Sequence, residues 1–304
     1  MSKVKGFMQK HIFLISFLLL MAAAFAGCSP SHPQPEDKRI TVTVSILPQK
    51  YFVERIGGED VTVNVMVGPG ESPHSYEPKP EQMRMLNASS VYFRIGVEFE
   101  GAWLPRIASA NPDMRIVDLS AGIEKLPMQA HGDEEEGEDD HDEDGLDPHV
   151  WTSPQLVRGM ADQIYQELTR LNPQRDSYYK ANLAAFISDI DTLEGEIRTA
   201  FSPLERRKFM VFHPSWGYFA RDFGLEQVAI EVGGTEPSAS QLAALLDLAK
   251  EERIQVIFAQ PEFSTRSAET IAREVGAAVI LISPLAEDWL ENLREVARSL
   301  AGHL

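Results

Sequence analysis

The chain has 304 residues and a formal net charge of -18 at pH 7, from 46 acidic and 28 basic side chains. A phosphate backbone attracts basic surfaces, so this balance argues against a nucleic-acid partner and favours a protein that attracts cations. The length suits two modest domains, each with its own core. A single cysteine provides no disulfide framework, so packing must hold the domains together.

The first 28 residues have the pattern of an export signal. Three lysines precede an apolar run over residues 12–25, and the small residues Ala26 and Gly27 lead to Cys28. This arrangement predicts a secretory signal with a lipobox, in which Cys28 becomes the lipidated N-terminus. The alternative is a plain signal peptide with an incidental cysteine. The first interpretation predicts an exported lipoprotein, periplasmic or on the cell surface, that is anchored to the membrane through Cys28.

Strands and helices alternate after a proline-rich tether at residues 29–39. The predicted elements of the first lobe, residues 40–173, are strand 40–47, helix 49–56, strand 61–67, helix 80–87, strand 90–95, helix 100–109 and strand 115–119. An amphipathic helix over residues 155–171 follows. Such alternation is typical of a parallel, doubly wound α/β sheet.

A long helix at 174–202 is predicted to join this lobe to a second one, residues 203–304, because apolar residues recur there at helical spacing without proline. The second lobe repeats the alternation with strand 208–212, helix 216–223, strand 228–232, helix 238–252, strand 254–259, helix 268–275, strand 278–282 and helix 288–300. Ser238 is the predicted cap of its helix. The sequences of the two lobes show no convincing repeat.

Three histidines lie beside prolines at or near predicted strand ends: His74, His149 and His213. Open α/β sheets present ligand-binding groups at the carboxyl ends of their strands, and zinc binds imidazole nitrogen readily. The three side chains therefore predict one metal site, in which Asp147 could orient His149. Each histidine alone has an alternative interpretation: an exposed polar turn for His74, the N-terminal cap region of a helix for His149, and a strand end bonded to a backbone carbonyl for His213.

The acidic stretch, residues 131–147, holds eleven Asp and Glu, two His and no Lys or Arg. It has too little apolar content to pack, which predicts disorder in the absence of metal. One interpretation is a weak collector or sensor of cations close to the metal site. The other is a solvated acidic insert whose charge only raises the local cation concentration.

Motifs around the three histidines resemble those of a known family. They read Pro-His-Ser-Tyr-Glu-Pro at 73–78, Asp-Pro-His-Val-Trp at 147–151 and Phe-His-Pro-Ser-Trp-Gly-Tyr-Phe at 212–219, with further similarity at 233–239 and 284–293. They look like the metal-binding motifs of the periplasmic substrate-binding lipoproteins of zinc/manganese ABC importers, the cluster 9 or A-I type. The resemblance covers the chain from about residue 40 onward.

This resemblance implies two α/β lobes on one long backbone helix, with the metal in the cleft between them. His74 and His149 would come from the first lobe and His213 from the second. The family often has an acidic fourth ligand near the last strand, where this chain has Ser283. The fourth position would then hold water, Glu262 or a residue of the acidic stretch. For Glu262, a solvated loop acid is the favoured alternative.

The resemblance also implies a function: high-affinity capture of Zn²⁺ outside the inner membrane and delivery to an ABC permease, by a monomer. Manganese-type relatives tend to carry a carboxylate in place of the third histidine, so His213 favours zinc. A manganese or broad-specificity binding protein is the alternative, and an adhesin or a zinc hydrolase is a more distant one. The sequence has no His-Glu-x-x-His motif and no convincing general base beside the histidines, so no enzyme is predicted.

Overall fold

A computed structural model describes residues 39–128, 145–231 and 235–304. The predicted export signal, Cys28 and nearly all of the tether lie outside the described residues, as does most of the acidic stretch. Where the chain is described, none of its helices has both the length and the apolar character needed to span a bilayer.

The first sheet has four parallel strands in the spatial order β2-β1-β3-β4. In chain order they are Ile40–Val44 (β1), Val61–Val65 (β2), Val91–Arg94 (β3) and Arg115–Asp118 (β4). Their many β-branched side chains suit a sheet that is covered on both faces, and the two central strands are mostly buried. The predicted parallel α/β architecture is confirmed for this lobe.

Helices follow the first three strands of this sheet and return the chain to the start of the next strand. They are Leu47–Gly57 (α1), Pro80–Met85 (α2) and Glu98–Ala110 (α3). Helix α1 begins soon after β1 because the side-chain oxygen of Gln49 accepts hydrogen bonds from the backbone N–H groups of Ser45 and Ile46, at 3.0 and 3.2 Å. The predicted strand over 40–47 is therefore too long, since its last residues already cap and start this helix.

Two long helices connect the sheets. Pro154–Leu171 (α4) is capped by Ser153, whose hydroxyl accepts from Leu156 N at 3.1 Å, and Asp176–Phe201 (α5) follows after a short turn. The 26 residues of α5 span about 39 Å at 1.5 Å per residue. Its buried stripe includes Phe186, Ile190 and Leu193. Helix α5 packs against α1 and α4 of the first lobe and against helices of the second lobe.

The second sheet repeats the order of the first, as β6-β5-β7-β8, again with all strands parallel. Its strands are Lys208–Val211 (β5), Glu226–Ala229 (β6), Val256–Ala259 (β7) and Ala278–Leu281 (β8), and its helices are Gly217–Phe223 (α6), Ala239–Glu251 (α7), Arg266–Val275 (α8) and Trp289–Ala301 (α9). The two lobes thus share a topology that their sequences do not reveal. The predicted cap of α7 is confirmed, since Ser238 Oγ accepts from Gln241 N at 3.4 Å.

Strand β6 differs most from its predicted range, 228–232. It begins at Glu226 and ends at Ala229, because its pairing partners on β5 are Lys208 to Val211. The buried Gln227 obscured the start of the strand in the sequence, since a polar residue there breaks the apolar run. Its amide is satisfied by Trp216 N and Pro214 O, at 2.9 and 3.2 Å. The lobe boundaries predicted at 173 and 203 stay predictions.

The two lobes meet through buried aromatic side chains. Trp151 Nε1 donates to Pro284 O at 2.8 Å, and Trp289 Nε1 donates to Trp151 O at 2.7 Å. The ring of Trp289 also packs edge-to-face on Phe52, with 5.2 Å between centroids. One continuous cluster of buried apolar side chains extends through both lobes. These contacts fix the relative position of the loops that face each other between the lobes.

Candidate metal centre

His74 lies in the loop that joins β2 to α2. A turn closed by Ser75 N donating to Ser72 O at 3.3 Å presents its side chain. The next residue but one, Tyr76, is buried and packs edge-to-face on Phe99 at the start of α3, with 5.0 Å between ring centroids. This contact brings the loop onto α3, where Glu98 Oε1 lies 2.7 Å from His74 Nδ1.

His149 caps the short 3-10 turn Val150–Thr152 that precedes α4. Asp147 Oδ1 accepts from both the backbone N and the ring Nδ1 of His149, at 2.8 and 2.7 Å. Both side chains are almost fully buried. The predicted hydrogen bond between Asp147 and His149 is therefore confirmed.

His213 lies two residues beyond Val211, the last residue of β5, at the carboxyl edge of the second sheet. Its backbone N–H donates to Gln260 Oε1 at 3.2 Å and its carbonyl accepts from Gln260 Nε2 at 2.6 Å, which ties it to the end of the neighbouring strand β7. Its Nδ1 lies 2.7 Å from Glu231 Oε1, beyond the end of β6. Phe263 stacks on the imidazole, with 4.6 Å between centroids and 24° between planes. Two neighbouring strands thus fix this one ring.

The structure brings all three predicted histidines together. His74 Nε2 lies 3.0 Å and His149 Nε2 3.3 Å from His213 Nε2, and one ligand nitrogen from each ring lies within 4.8 Å of the others. A tetrahedral zinc ion with Zn–N bonds of about 2.0–2.1 Å holds its nitrogens about 3.3 Å apart. The separations within this histidine cluster, His74, His149 and His213, suit such an ion.

A carboxylate holds the outer nitrogen of every ring in the histidine cluster. Glu98, Asp147 and Glu231 each lie 2.7 Å from an Nδ1 atom. A carboxylate accepts only, so the proton of each neutral imidazole sits on Nδ1 and the lone pair of each Nε2 points into the shared space. Three converging lone pairs without a proton between them repel one another. The arrangement therefore favours a cation at its centre.

Two groups of the site, His213 and Glu98, have pKa values that are shifted from their ordinary values. Burial lowers the pKa of His213 to about 4, with further lowering by the charges of His149 and His74 and with opposition from Glu231. Desolvation alone would raise the pKa of the Glu98 carboxyl, but the hydrogen bond from His74 and the charges of His74 and His149 outweigh it and lower this pKa to about 2. His213 is thus neutral, and Glu98 ionised, across the physiological range.

A small cavity surrounds the cluster, and its walls are mainly apolar. Besides the histidines it is lined by Ser72, Pro73, Trp151, Glu262, Phe263, Pro284 and Leu285. Weak screening between such walls strengthens the attraction between an ion and its ligands. Both lobes contribute residues to the cavity wall. Trp151 comes from the first lobe and Pro284 from the second, and the hydrogen bond described above joins them.

The two candidates for a fourth ligand contact each other. Ser283 Oγ donates to Glu262 Oε1 at 2.6 Å, and Glu262 Oε2 is buried without a hydrogen-bond partner among the described residues. Glu262 is a half-buried residue with one bonded and one shielded carboxylate oxygen, and its interpretation as a solvated loop acid stays a prediction. Glu262 does not belong to the compact group of ligand atoms that the histidines form.

Sequence reasoning missed the carboxylates Glu98 and Glu231 and the amide of Gln260. A signal for them exists: Glu231 and Gln260 lie within two residues of the ends of β6 and β7, the same kind of position as His213. Glu98 is the first residue of α3, four residues after the end of β3. Predicting their role requires the order of the strands, which the sequence alone does not provide.

Two parallel α/β lobes on a long helix, with three histidines where their loops meet, define the class of cluster 9 metal-binding proteins of ABC importers. The chain belongs to the family described as ZnuA, zinc-uptake complex component A, periplasmic, whose model matches residues 42–302. The family is named for a component of an uptake complex and not for a catalytic activity.

Individual relatives agree with this assignment. The chain is 27% identical over 277 residues to the zinc-binding lipoprotein AdcA of Streptococcus pneumoniae, covering 89% of this chain but 55% of that protein. It therefore spans about half the length of this streptococcal relative. It is 28% identical over 288 residues to the high-affinity zinc uptake system protein ZnuA of Bacillus subtilis, covering 90% of this chain and 88% of that one.

Solved structures show the same fold. A crystal structure of ZnuA superposes with a TM-score of 0.81 at 44% identity, and covers 87% of this chain and 99% of that one. A laminin-binding protein of Streptococcus agalactiae, described as a bifunctional protein with adhesin and metal transporting activity, superposes with a TM-score of 0.75 at 25% identity, covering 87% and 99%.

Proposed function

We propose that this chain captures Zn²⁺ outside the cytoplasmic membrane and delivers it to an ABC permease. The ligands are Nε2 of His74, His149 and His213. The observation that carries the proposal is their convergence, with each Nδ1 held by a carboxylate 2.7 Å away. Relatives named for zinc binding and zinc uptake support the same cargo.

Zinc is the proposed cargo because all three clustered ligands are imidazoles. Carboxylate and carbonyl oxygens suit manganese, whereas imidazole suits zinc and neighbouring metals late in the first transition row. The closest spacings within the histidine cluster also suit a small tetrahedral ion. A manganese or broad-specificity site is the alternative, and competition between the two metals distinguishes them.

Capture, and not catalysis, is supported by the walls of the cavity. Trp151, Phe263, Pro284 and Leu285 enclose the histidine cluster with apolar surface, which suits a bare ion better than a polar substrate. The ligands all come from one chain, so a monomer suffices for binding.

Lipid anchoring at Cys28 is part of the proposal. The lipobox pattern supports it, as does the name of the pneumococcal relative, a lipoprotein. An anchor on the outer side of the membrane would keep the captured ion close to the permease that receives it. Labelling of cells with a radioactive fatty acid tests this point, because a Cys28→Ser variant is expected to lose the label.

Isothermal titration with a competing chelator tests metal capture by the full chain in detergent. We expect one zinc per chain, weaker binding of Mn²⁺, and a loss of zinc affinity of more than about 100-fold in His213→Ala. His303→Ala is the matched control, since this histidine lies at the C-terminus and bonds Ser299 O. Equal zinc affinity in all three proteins, with unchanged circular dichroism, would reject the site.

A further inference from the structure

We infer that Gln260 is a positioning residue for the metal, which holds the backbone of His213 at the place that a tetrahedral ion requires before the ion arrives. The inference rests on the proposed function, because it concerns a ligand of the same ion. It gives a buried amide at the end of β7 a part in the choice of metal, although the hydrogen bonds of this amide go to the His213 backbone and to the hydroxyl of Ser215.

The side chain of Gln260 is fully buried and satisfies both backbone groups of the ligand residue. Its Oε1 accepts from His213 N at 3.2 Å, and its Nε2 donates to His213 O at 2.6 Å and to Ser215 Oγ at 2.9 Å. An amide carries an acceptor and two donors, so one glutamine can bond all three groups. These bonds therefore fix the peptide units on both sides of the His213 Cα.

His213 needs this support because it lies beyond the backbone ladder that joins β5 to β7. The ladder ends with a bond from Phe212 N to Phe258 O at 2.8 Å. Pro214 has no N–H group and cannot continue it. Gln260 is the first residue after β7, so its side chain takes over the pairing where the backbone stops.

The ring of His213 is fixed separately from its backbone. Glu231 Oε1 lies 2.7 Å from the ring Nδ1, and Phe263 stacks on one face of the ring. These two contacts set the tautomer and the tilt of the imidazole. Gln260 sets the position of the Cα from which the imidazole extends, so its contribution differs from theirs.

A fixed spacing of the three nitrogens favours one kind of ion. The Nε2 of His213 lies 3.0 Å from that of His74 and 3.3 Å from that of His149. Zinc accepts this tetrahedral spacing, whereas manganese favours octahedral sites built from oxygen. A ligand that is already held in the metal-free protein also costs less to order when the ion binds. Loss of the Gln260 amide should therefore weaken zinc binding and reduce the preference for zinc over manganese.

Gln260→Met tests the inference in the full chain in detergent, because methionine is similar in length to glutamine but has no amide. We expect zinc affinity to fall about 10–100-fold, and the ratio of zinc affinity to manganese affinity to fall with it. Four-coordinate Co²⁺ absorbs visible light much more strongly than six-coordinate Co²⁺. The absorption per bound Co²⁺ should therefore decrease in this variant, as the loosened site admits water.

Gln49→Met is the matched control, because Gln49 is equally buried and also makes three hydrogen bonds. Its partners are Ser45 N, Ile46 N and Phe93 O, at 3.0, 3.2 and 3.0 Å, and none of these residues is a proposed ligand. Both variants should lower the Tm of the metal-free protein, since each leaves buried backbone groups unpaired. Only Gln260→Met should change the metal affinities and the Co²⁺ absorption, which separates positioning of the metal from a general loss of stability.

Gln260→Asn is the second variant, to be used if Gln260→Met does not fold. It retains the amide, but its shorter side chain cannot reach both backbone groups of His213, so zinc affinity and Co²⁺ absorption should again fall. Wild-type metal affinities and Co²⁺ absorption in the Gln260 variants, or equal losses in Gln49→Met, would overturn the inference and leave the three-histidine site intact. Unchanged zinc affinity in His213→Ala would instead reject the proposed function.

Discussion

Glu231 Oε1 lies 2.7 Å from His213 Nδ1, and both residues are almost fully buried, at 4% and 3% exposure. The contact joins the ends of two adjacent strands, β5 and β6, and sets the tautomer of the ring. We predict that Glu231→Gln lowers zinc affinity about 10–100-fold, because an amide holds Nδ1–H more weakly and also offers a competing donor. Chelator competition measures the change. Glu251→Gln, on the exposed face of α7, should leave affinity unchanged.

Gly217 leaves space for Asp147. A Cβ at this first residue of α6 would lie 2.9 Å from Asp147 Oδ2 and 3.5 Å from Gln227 Nε2. Gly217→Ala is expected to displace Asp147, and with it the ring of His149, so zinc affinity should fall about tenfold or more.

Gly159→Ala is the matched control for this change, because nothing lies within 4 Å of a Cβ at that exposed position of α4. It should bind zinc normally and gain about 0.5–1 kcal/mol of stability from the loss of a helical glycine. Equal zinc affinity in both alanine variants would show that Asp147 does not position His149.

The indole of Trp289 links the lobes to the metal centre. Its Nε1 donates to the carbonyl of Trp151, two residues after His149, at 2.7 Å. Trp289→Phe keeps the ring contact with Phe52 but leaves this buried carbonyl without its donor. We expect a loss of about 1–3 kcal/mol in the free energy of unfolding. Urea denaturation of the metal-free protein measures it, with Trp103→Phe as a partly exposed control that should change little.

Glu100 predicts a dependence of stability on pH. It is fully buried beside Ser45 and Arg94, and burial, opposed by hydrogen bonds from Ser45, Ile95 and Gly96, raises its pKa above the ordinary value near 4.5. A pKa that is raised by folding contributes stability below about pH 4.5, and this contribution is lost as the pH rises through the folded-state pKa.

Glu100→Gln does not titrate, so the difference in unfolding free energy, wild type minus variant, should decrease from pH 4 towards pH 7. Urea denaturation at a series of pH values measures this difference. A difference that increases with pH would show that the hydrogen bonds to the carboxylate outweigh its burial.

The sequence predicts part of the metal centre because each histidine stands in a distinct motif that contains proline, and because Asp147 lies two residues before His149. The parallel lobes follow from alternating strands and helices in the same way. Glu98 and Glu231 could not be assigned, since 24 and 18 residues separate them from His74 and His213 and only the strand order brings them close. The sequence shows that Ser283 stands where the family often has an acidic ligand. The contact of Ser283 with Glu262, however, depends on the pairing of β7 with β8.

Zinc K-edge X-ray absorption of the full chain loaded with one zinc per chain tests the central claim most directly. The account predicts three imidazole nitrogens at about 2.0–2.1 Å from the metal, with the outer-shell scattering of three rings. In His213→Ala the signal should correspond to two rings. A shell without imidazole scattering, or the same ring count in wild type and His213→Ala, would contradict the assignment of the three histidines to one zinc ion.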